Sequence, residues 1–465
     1  MKRVLERIAA LPGPLEAGLV ERALEVRLVL LVALAGEHSL LIGPPGTAKS
    51  ELARRLHRAF RDGHYFERLL TRFTVPEELF GPLSISALEQ DRYERHTAGF
   101  LPDASIAFID EVFKANSAIL NALLTLLNER EFDNGAGRQR CPLVSVIGAT
   151  NAVPDDEVAE AFFDRFLLRL NVLPVSDAGF RCLIERSDAS GAGHPEHPLG
   201  DALGKEDLQA LAARAASLSL SGTVGELLGE VRRYLNSQGQ YVSDRRWVKV
   251  VGLLRTAAAS EGRDEVVEWD TWLLPYCVAA SAEAQQSLRD WLETRLGVLG
   301  TIAPARLTRV VEAFEAQLEA ERQANDLDYD EDGRLRFSAS ELAADVGDAK
   351  GGAQALRMTH TRRRRYGLHH IDARLAQIDA LLQRVGDYLA SHATRTAEFE
   401  AYRAHRVWME VACARRIAEQ LKATADELAV LSERIRRARA GFEALPRLEA
   451  QGDVPEPIAH EPLDA

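Results

Sequence analysis

The stretch HSLLIGPPGTAKSELARRL, His38 to Leu56, decides the fold. An apolar run ending at Ile42 leads into Gly43, Pro44, Pro45, Gly46, Thr47, Ala48, Lys49 and Ser50, and a helical spacing of Leu52, Ala53, Leu56, Ala59 and Phe60 follows. Strand, small-residue loop and helix in that order make a phosphate cradle, because small residues let backbone N–H groups turn inward at the positive end of a helix dipole. On this reading Gly43, Gly46, Thr47 and Ala48 line the phosphates of a nucleoside triphosphate, taken as ATP. Lys49 reaches its β and γ oxygens, and the Ser50 hydroxyl ligates Mg²⁺. Ala48 stands where the usual pattern has glycine, and its Cβ restricts the backbone there.

Ser105 to Ile109 reads as a buried parallel strand ending in Asp110 and Glu111. Asp110 is placed to hold Mg²⁺, directly or through water, and Glu111 to orient and deprotonate the attacking water. Two acids at a helix start also occur without function, since they suit its dipole. Beside a lysine loop the functional reading carries more weight.

Further strand signals at Leu69 to Phe73, Val144 to Ala149 and Phe166 to Asn171 alternate with helical patterns, which predicts a doubly wound parallel α/β sheet. Gly18 to Ala35 predicts a helix leading into the first strand. Ser187 to Gly204, rich in Gly, Ala, His and Pro, reads as a hinge, and Asp207 to about Gly300 as an all-helical lid without strands. Three later faces repeat at helical spacing: Leu307, Val310, Val311, Phe314 and Leu318; Ile371, Leu375, Ile378, Leu382, Val385 and Leu389; and Leu428, Leu431, Ile435, Ala438 and Phe442. They predict a bundle of long, coiled-coil-like helices. The expected division is a nucleotide-binding core at 1–186, hinge at 187–204, lid at 205–300, helical stalk at 301–450 with a short insertion at 326–369, and a disordered tail at 451–465.

A chain of 465 residues has room for about three domains. Its net charge of −13 argues against a protein that coats nucleic acid. Cys141, Cys182, Cys277 and Cys413 are far apart and lack metal-ligand spacing, and Met1 to Ala10 carries no secretory signal, so reduced thiols and a cytoplasmic location are expected. The longest apolar run, Leu28 to Ala35, is far too short to span a bilayer.

The loop with alanine before lysine, Thr71 to Gly81 (TRFTVPEELFG), Asp110 with Glu111, and Ala149 to Asn151 together resemble the MoxR group of AAA+ ATPases. Gly18 to Ala23, Gly81 to Leu88, Tyr93 to Pro102, Ala118 to Arg130 and Tyr241 to Trp247 resemble its regulatory ATPase variant A (RavA) subfamily. The likeness covers roughly residues 1 to 260, and in that family alanine before the lysine is common.

The resemblance implies roles for particular residues. Val20, within Gly18 to Ala23, joins the nucleotide-binding set. Asn151 matches the sensor amide that holds the nucleophilic water or the γ-phosphate, although Asn at a strand end is also an ordinary turn former. Arg165, in FFDRF, matches the arginine finger that reaches a neighbour's γ-phosphate, with a surface ion pair to Asp164 as the alternative. Arg245, in SDRR, matches the lid's sensor, and Arg246 competes for that assignment. A finger acting in trans requires a homo-oligomer, and the family implies a hexamer. Leu83 to Leu101 matches the family's insertion in the second helix, and Glu131 to Pro142 looks like a hairpin turning at Asn134 and Gly135; both are protrusions that could push on a client.

The subfamily's strand-rich inserted domain would need more than the 326–369 stretch. Within it Asp328, Asp330, Asp332 and Gly333 begin like a calcium loop, but Ala339 stands where a glutamate ligand belongs, so a solvated acidic loop is expected. Arg362 to Arg365 reads as a solvated run or a partner for that loop, and the five tryptophans as packing residues. The function expected is ATP hydrolysis by a ring that remodels or activates a partner protein, chaperone-like, with a von Willebrand factor A domain protein as the partner the family implies. The alternative is a nucleic-acid-directed AAA+ motor or loader, whose hydrolysis would respond to DNA or RNA through Arg362 to Arg365.

Overall fold

The computed structural model describes the chain apart from residue 136 and residues 154–156, 190–201, 299–303, 328–360, 450, 452 and 462–465. The chain divides into two units, Met1–Glu293 with Glu400–Arg416, and Thr294–Phe399 with Ile417–Ala465. The calcium-like loop lies outside the described residues, as does most of the 326–369 insertion.

The first unit holds strands β1 (Ser39–Ile42), β2 (His64–Leu69), β3 (Ala104–Asp110), β4 (Glu131–Asn134), β5 (Gly137–Arg140), β6 (Ser145–Thr150) and β7 (Leu168–Asn171). Five of them form one parallel sheet in the order β2-β3-β6-β1-β7, with helices in the crossovers, as the alternating pattern predicts. Sequence explains the arrangement: β3 (ASIAFID) and β6 (SVIGAT) are covered on both faces and so carry polar side chains only at or next to their ends, the mark of a central parallel strand. Gly148 in β6 is a packing requirement, since a Cβ there would stand 2.9 Å from the ring of Phe166.

Three expectations need correction. The helix before β1 runs only over Ala23–Leu34; Gly18 and Glu21 take left-handed backbone conformations, which break the helix and leave residues 18–22 as a loop. The strand expected at Leu69 to Phe73 ends at Leu69, where it had been expected to begin. Beyond it the Thr74 hydroxyl accepts from the Thr71 N–H at 2.8 Å, so local side-chain bonds divert the backbone into a turn that leaves Phe73 88% exposed. Third, the helical region after Gly204 contains one strand pair, Ser219–Leu220 with Glu265–Val266.

β4 and β5 form the expected hairpin, and it is coupled to the preceding insertion. Asn134 accepts from the Arg95 N–H at 2.7 Å and donates to the Arg95 carbonyl at 3.2 Å, and Phe80 stacks on Phe132 with centroids 5.2 Å apart. Gly135 abuts the Tyr93 carbonyl so closely that a Cβ would lie 2.0 Å from its oxygen.

The second unit is organised by three long helices, Pro304–Gln323, Leu368–Ala404 and Val411–Glu443. The heptad-like faces meet in one core that includes Val310, Phe314, Ile378, Val385, Ile435 and Phe442. Arg362 to Arg365 falls where Thr361–Arg363 pairs with Asn325–Leu327, and Arg364 faces Asp326 at 3.8 Å. The segment Glu400–Arg416, which takes in the end of the helix Leu368–Ala404, the connection after it and the start of the helix Val411–Glu443, belongs to the first unit and is packed there by Trp408, whose Nε1 donates to Ser260 Oγ at 2.8 Å. Among the described residues the cysteines are free thiols, and no helix is long and apolar enough to cross a membrane.

His38, one residue before β1, is fully enclosed and ties two elements together. Its Nδ1 accepts from the Val146 N–H at 2.9 Å while Nε2 faces the Leu127 carbonyl at 3.1 Å, which fixes a neutral tautomer with the proton on Nε2. Burial, aided by the charge of Arg130, holds its pKa well below the usual value. The unfolded chain therefore takes up a proton at this residue first on acidification, so stability is lost as pH falls below the unfolded value. Denaturant unfolding across pH is expected to show a His38 contribution approaching about 1.4 kcal/mol per pH unit below pH ~6.5, absent in a His38→Gln protein.

Candidate nucleotide site

The carboxyl ends of β1, β3 and β6 converge. Register sets Ile42 beside Thr150 and Ile109 beside Gly148, so the loop after β1, the acids after β3 and Asn151 after β6 share one end of the sheet.

The loop at residues 43–48 opens onto the helix Lys49–His57. Gly43 runs so close to Val172 that a Cβ would sit 2.2 Å from its carbonyl oxygen, and Gly46 has φ of +79°. Ala48 takes φ of +65°, a left-handed conformation that costs an L-residue about 1–2 kcal/mol. That strain is the consequence of alanine in glycine's place. Thr47 Oγ1 donates to the Pro44 carbonyl at 3.0 Å, and Ser50 lies half-buried in the first helical turn. Lys49 Nζ turns back onto the loop and donates to the Gly43 and Pro44 carbonyls at 2.8 Å each. Burial lowers the Lys49 pKa, and the charges of Asp110 and Glu111 oppose that shift. An ammonium at a helix N-terminus with flexible partners and two carboxylates nearby suits a phosphate chain and the metal that accompanies it.

Glu111 sits in a left-handed turn with φ of +53° immediately after β3. Its carboxylate accepts from Asn151 Nδ2 at 2.7 Å and pairs with Lys114 at 3.1 Å. The structure thus brings Asn151 to Glu111, and Asp110 Oδ1 accepts from the Glu111 N–H at 2.9 Å. The two donors fix the position of this carboxylate beside the loop, where a general base would act.

The arginines fall into distinct environments. Arg165 lies at the end of the helix Glu157–Phe163, with Asp164 3.6 Å from its guanidinium and its buried Nε without a hydrogen-bond partner. Arg245 donates to Asn128 Oδ1. Burial lowers the Arg165 pKa, and the charge of Arg245 lowers it further. Arg246 is 3% exposed and its three nitrogens all bond to protein acceptors. Arg165 pairs with Asp164 and Arg245 with Asn128, each on the core. Val20 is half-buried in the 18–22 loop.

Arg22 is a supporting residue that pattern reading missed. It is buried, and its Nε donates to the Thr47 carbonyl at 3.2 Å while its terminal nitrogens reach the Leu173 carbonyl at 2.6 Å and the Glu21 carbonyl at 2.7 Å. It therefore ties the phosphate loop to the chain after β7. The available signal was its place in the Gly18 to Ala23 segment.

Residues 6–211 match the family model described as the MoxR domain in the MoxR-vWA-beta-propeller ternary systems, and residues 223–292 match one described as an AAA lid domain. An uncharacterised protein of Methanocaldococcus jannaschii is 37% identical over 57% of this chain and 68% of its own length. Protein MoxR of Paracoccus denitrificans is 30% identical over 32% of this chain and 45% of its own. A crystal structure from Cytophaga hutchinsonii, described as that of a candidate ATPase, superposes with a TM-score of 0.51 over 64% of this chain and 96% of its own. At 18% identity that likeness concerns fold alone.

Removing Arg22 leaves three carbonyls short of a donor, two of them beside the loop. Arg22→Ala is expected to cost about 2–4 kcal/mol in denaturant unfolding and to weaken nucleotide binding.

Proposed function

The chain belongs to the MoxR family of AAA+ ATPases, and we propose that it hydrolyses ATP in a ring, most simply a hexamer, to remodel or activate a partner protein. The observation that carries this reading is the convergence of Lys49, Asp110, Glu111 and Asn151 at one end of the parallel sheet.

In this proposal Gly43, Gly46, Thr47 and Ala48 wrap the phosphates, and Lys49 exchanges its two loop carbonyls for phosphate oxygens. Val20 lies in the loop tied to Thr47 through Arg22 and contributes to the nucleotide pocket. Mg²⁺ held through Ser50 and Asp110 would neutralise charge on the phosphates. Glu111 accepts a proton from the attacking water, and Asn151, already bonded to that carboxylate, orients water and base together. Arg245 serves as the lid's sensor, because Arg246 is committed to protein carbonyls. Arg165 is lent to the adjoining subunit, where such a guanidinium is worth about 10³–10⁵ in turnover.

A von Willebrand factor A domain protein is the proposed partner, on the strength of the matched model's description. The RavA-like segments support placement near that subfamily with a shortened insertion. Net charge of −13 and the Arg364 to Asp326 pairing speak against nucleic acid as the client.

The test mixes two inactive proteins. Lys49→Ala and Arg165→Ala are each expected to turn over ATP at a few per cent of the native rate or less. Mixed and co-assembled, they should regain a measurable fraction, because an intact Lys49 pocket can borrow a neighbour's Arg165. Co-assembled mixtures that stay inactive would refute the shared pocket.

A further inference from the structure

We propose that Arg246 is a positioning residue that fixes Arg165 to the subunit's own lid, so that a lid moved by one pocket redirects the finger serving the next. The inference rests on the reading of Arg165 as a finger acting in trans and adds to it a route between adjacent pockets.

The geometry is specific. Arg246 lies in the first turn of the lid helix Asp244–Ser260, whose N-terminus is capped by Ser243 Oγ accepting from the Arg246 N–H at 3.3 Å. Its Nε donates to the Cys277 carbonyl at 2.5 Å, within the matched lid region. One terminal nitrogen donates to the Asp164 carbonyl at 3.0 Å and to Asp164 Oδ1 at 3.1 Å. The other reaches the Phe166 carbonyl at 2.6 Å and the Leu167 carbonyl at 3.0 Å. The acceptors from the core thus bracket position 165 on both sides. Only a planar fork of five N–H donors can span them; a lysine ammonium carries its donors on one atom at the end of a flexible stem.

A second tie runs in parallel. Gln285, in the lid helix Ala282–Leu296, donates to the Arg169 carbonyl at 3.0 Å and accepts from Asn171 Nδ2 at 3.1 Å, which secures β7 immediately downstream. The finger segment and the lid are therefore hydrogen-bonded at successive points from Asp164 to Asn171. Arg245, the neighbour of Arg246 on the same helical turn, faces away to Asn128. The arginine doublet divides its work: one residue is available to sense nucleotide, and the other transmits lid position to residue 165.

The experiment uses the full chain in mixed assemblies and ATP itself as probe. The donor subunit carries Lys49→Ala and supplies Arg165; the acceptor carries Arg165→Ala and supplies the working pocket. Arg246→Lys is added to one or the other, and each assembly is checked by mass and thermal melting. On the donor it should cut the rescued kcat about tenfold or more with KM for ATP little changed, and on the acceptor under about threefold, since small misplacement of a reacting group is enough for losses of that order. Equal losses on both sides, a larger loss on the acceptor, or no loss on either would overturn the proposal. Should Arg246→Lys fail to assemble, Gln285→Ala on the donor cuts the parallel tie between the lid and β7 without touching Arg165, with the same asymmetry expected and the same outcomes decisive. Failure of the parent mixture without either change would instead overturn the shared pocket, and this inference with it.

Discussion

The nucleotide site is organised around one cation at a helix start. Lys49 stands buried at the start of a helix, and its ammonium donates to two carbonyls of its own loop. Everything around it serves that charge. The parallel sheet forces all of its strands to end on the same side, and the order β2-β3-β6-β1-β7 sets β1 between β6 and β7 with β3 one strand further. Acids from β3, an amide from β6 and a loop from β1 then meet without any long-range adjustment. Arg22 and Gly43 hold the loop from behind, one by hydrogen bonds and the other by allowing Val172 to come close.

The lid is tied to this core through polar groups aimed at backbone. Arg246 and Gln285 both address carbonyls, which no sheet or helix ladder had consumed, so the contact between the two regions is satisfied rather than merely buried. The segment Glu400–Arg416 adds a further tie within the same unit: Arg27 donates to the Val407 carbonyl at 3.1 Å, and the Val407 N–H donates to Glu261 at 2.8 Å. It joins the helix before β1 to the end of the lid helix Asp244–Ser260, and it is contributed by the connection between the two longest helices of the chain. Burial pushes the Glu261 pKa upward, and Arg263, bonded to it at 2.9 Å, counters the shift.

Much of this was legible in the residues because local pattern and tertiary role coincide. β3 and β6 are continuous apolar runs because both faces are buried, and the loop after β1 declares itself through glycines and a lysine. The hairpin at Asn134 and Gly135 was readable from its turn chemistry. The misreadings occurred where local preference and tertiary demand diverge. β2 keeps only Phe66 buried along HYFERL, so its alternation is weak, while the β-branched residues after it signal a strand that the Thr71 and Thr74 hydroxyls undo. Gly18 and Glu21 break a helix whose apolar pattern runs on through the break. The roles of Arg22 and Arg246 depend on carbonyls distant in sequence, and no spacing rule could announce them.

The most direct measurement is the affinity for MgATP by titration calorimetry of the native protein and of Lys49→Ala. A charge-assisted contact of about 1.5–3 kcal/mol is at stake, so binding to the variant should weaken by about 10–100-fold. Equal affinity in the two proteins would mean that the cradle after β1 does not hold the triphosphate, and the account built on it would fall.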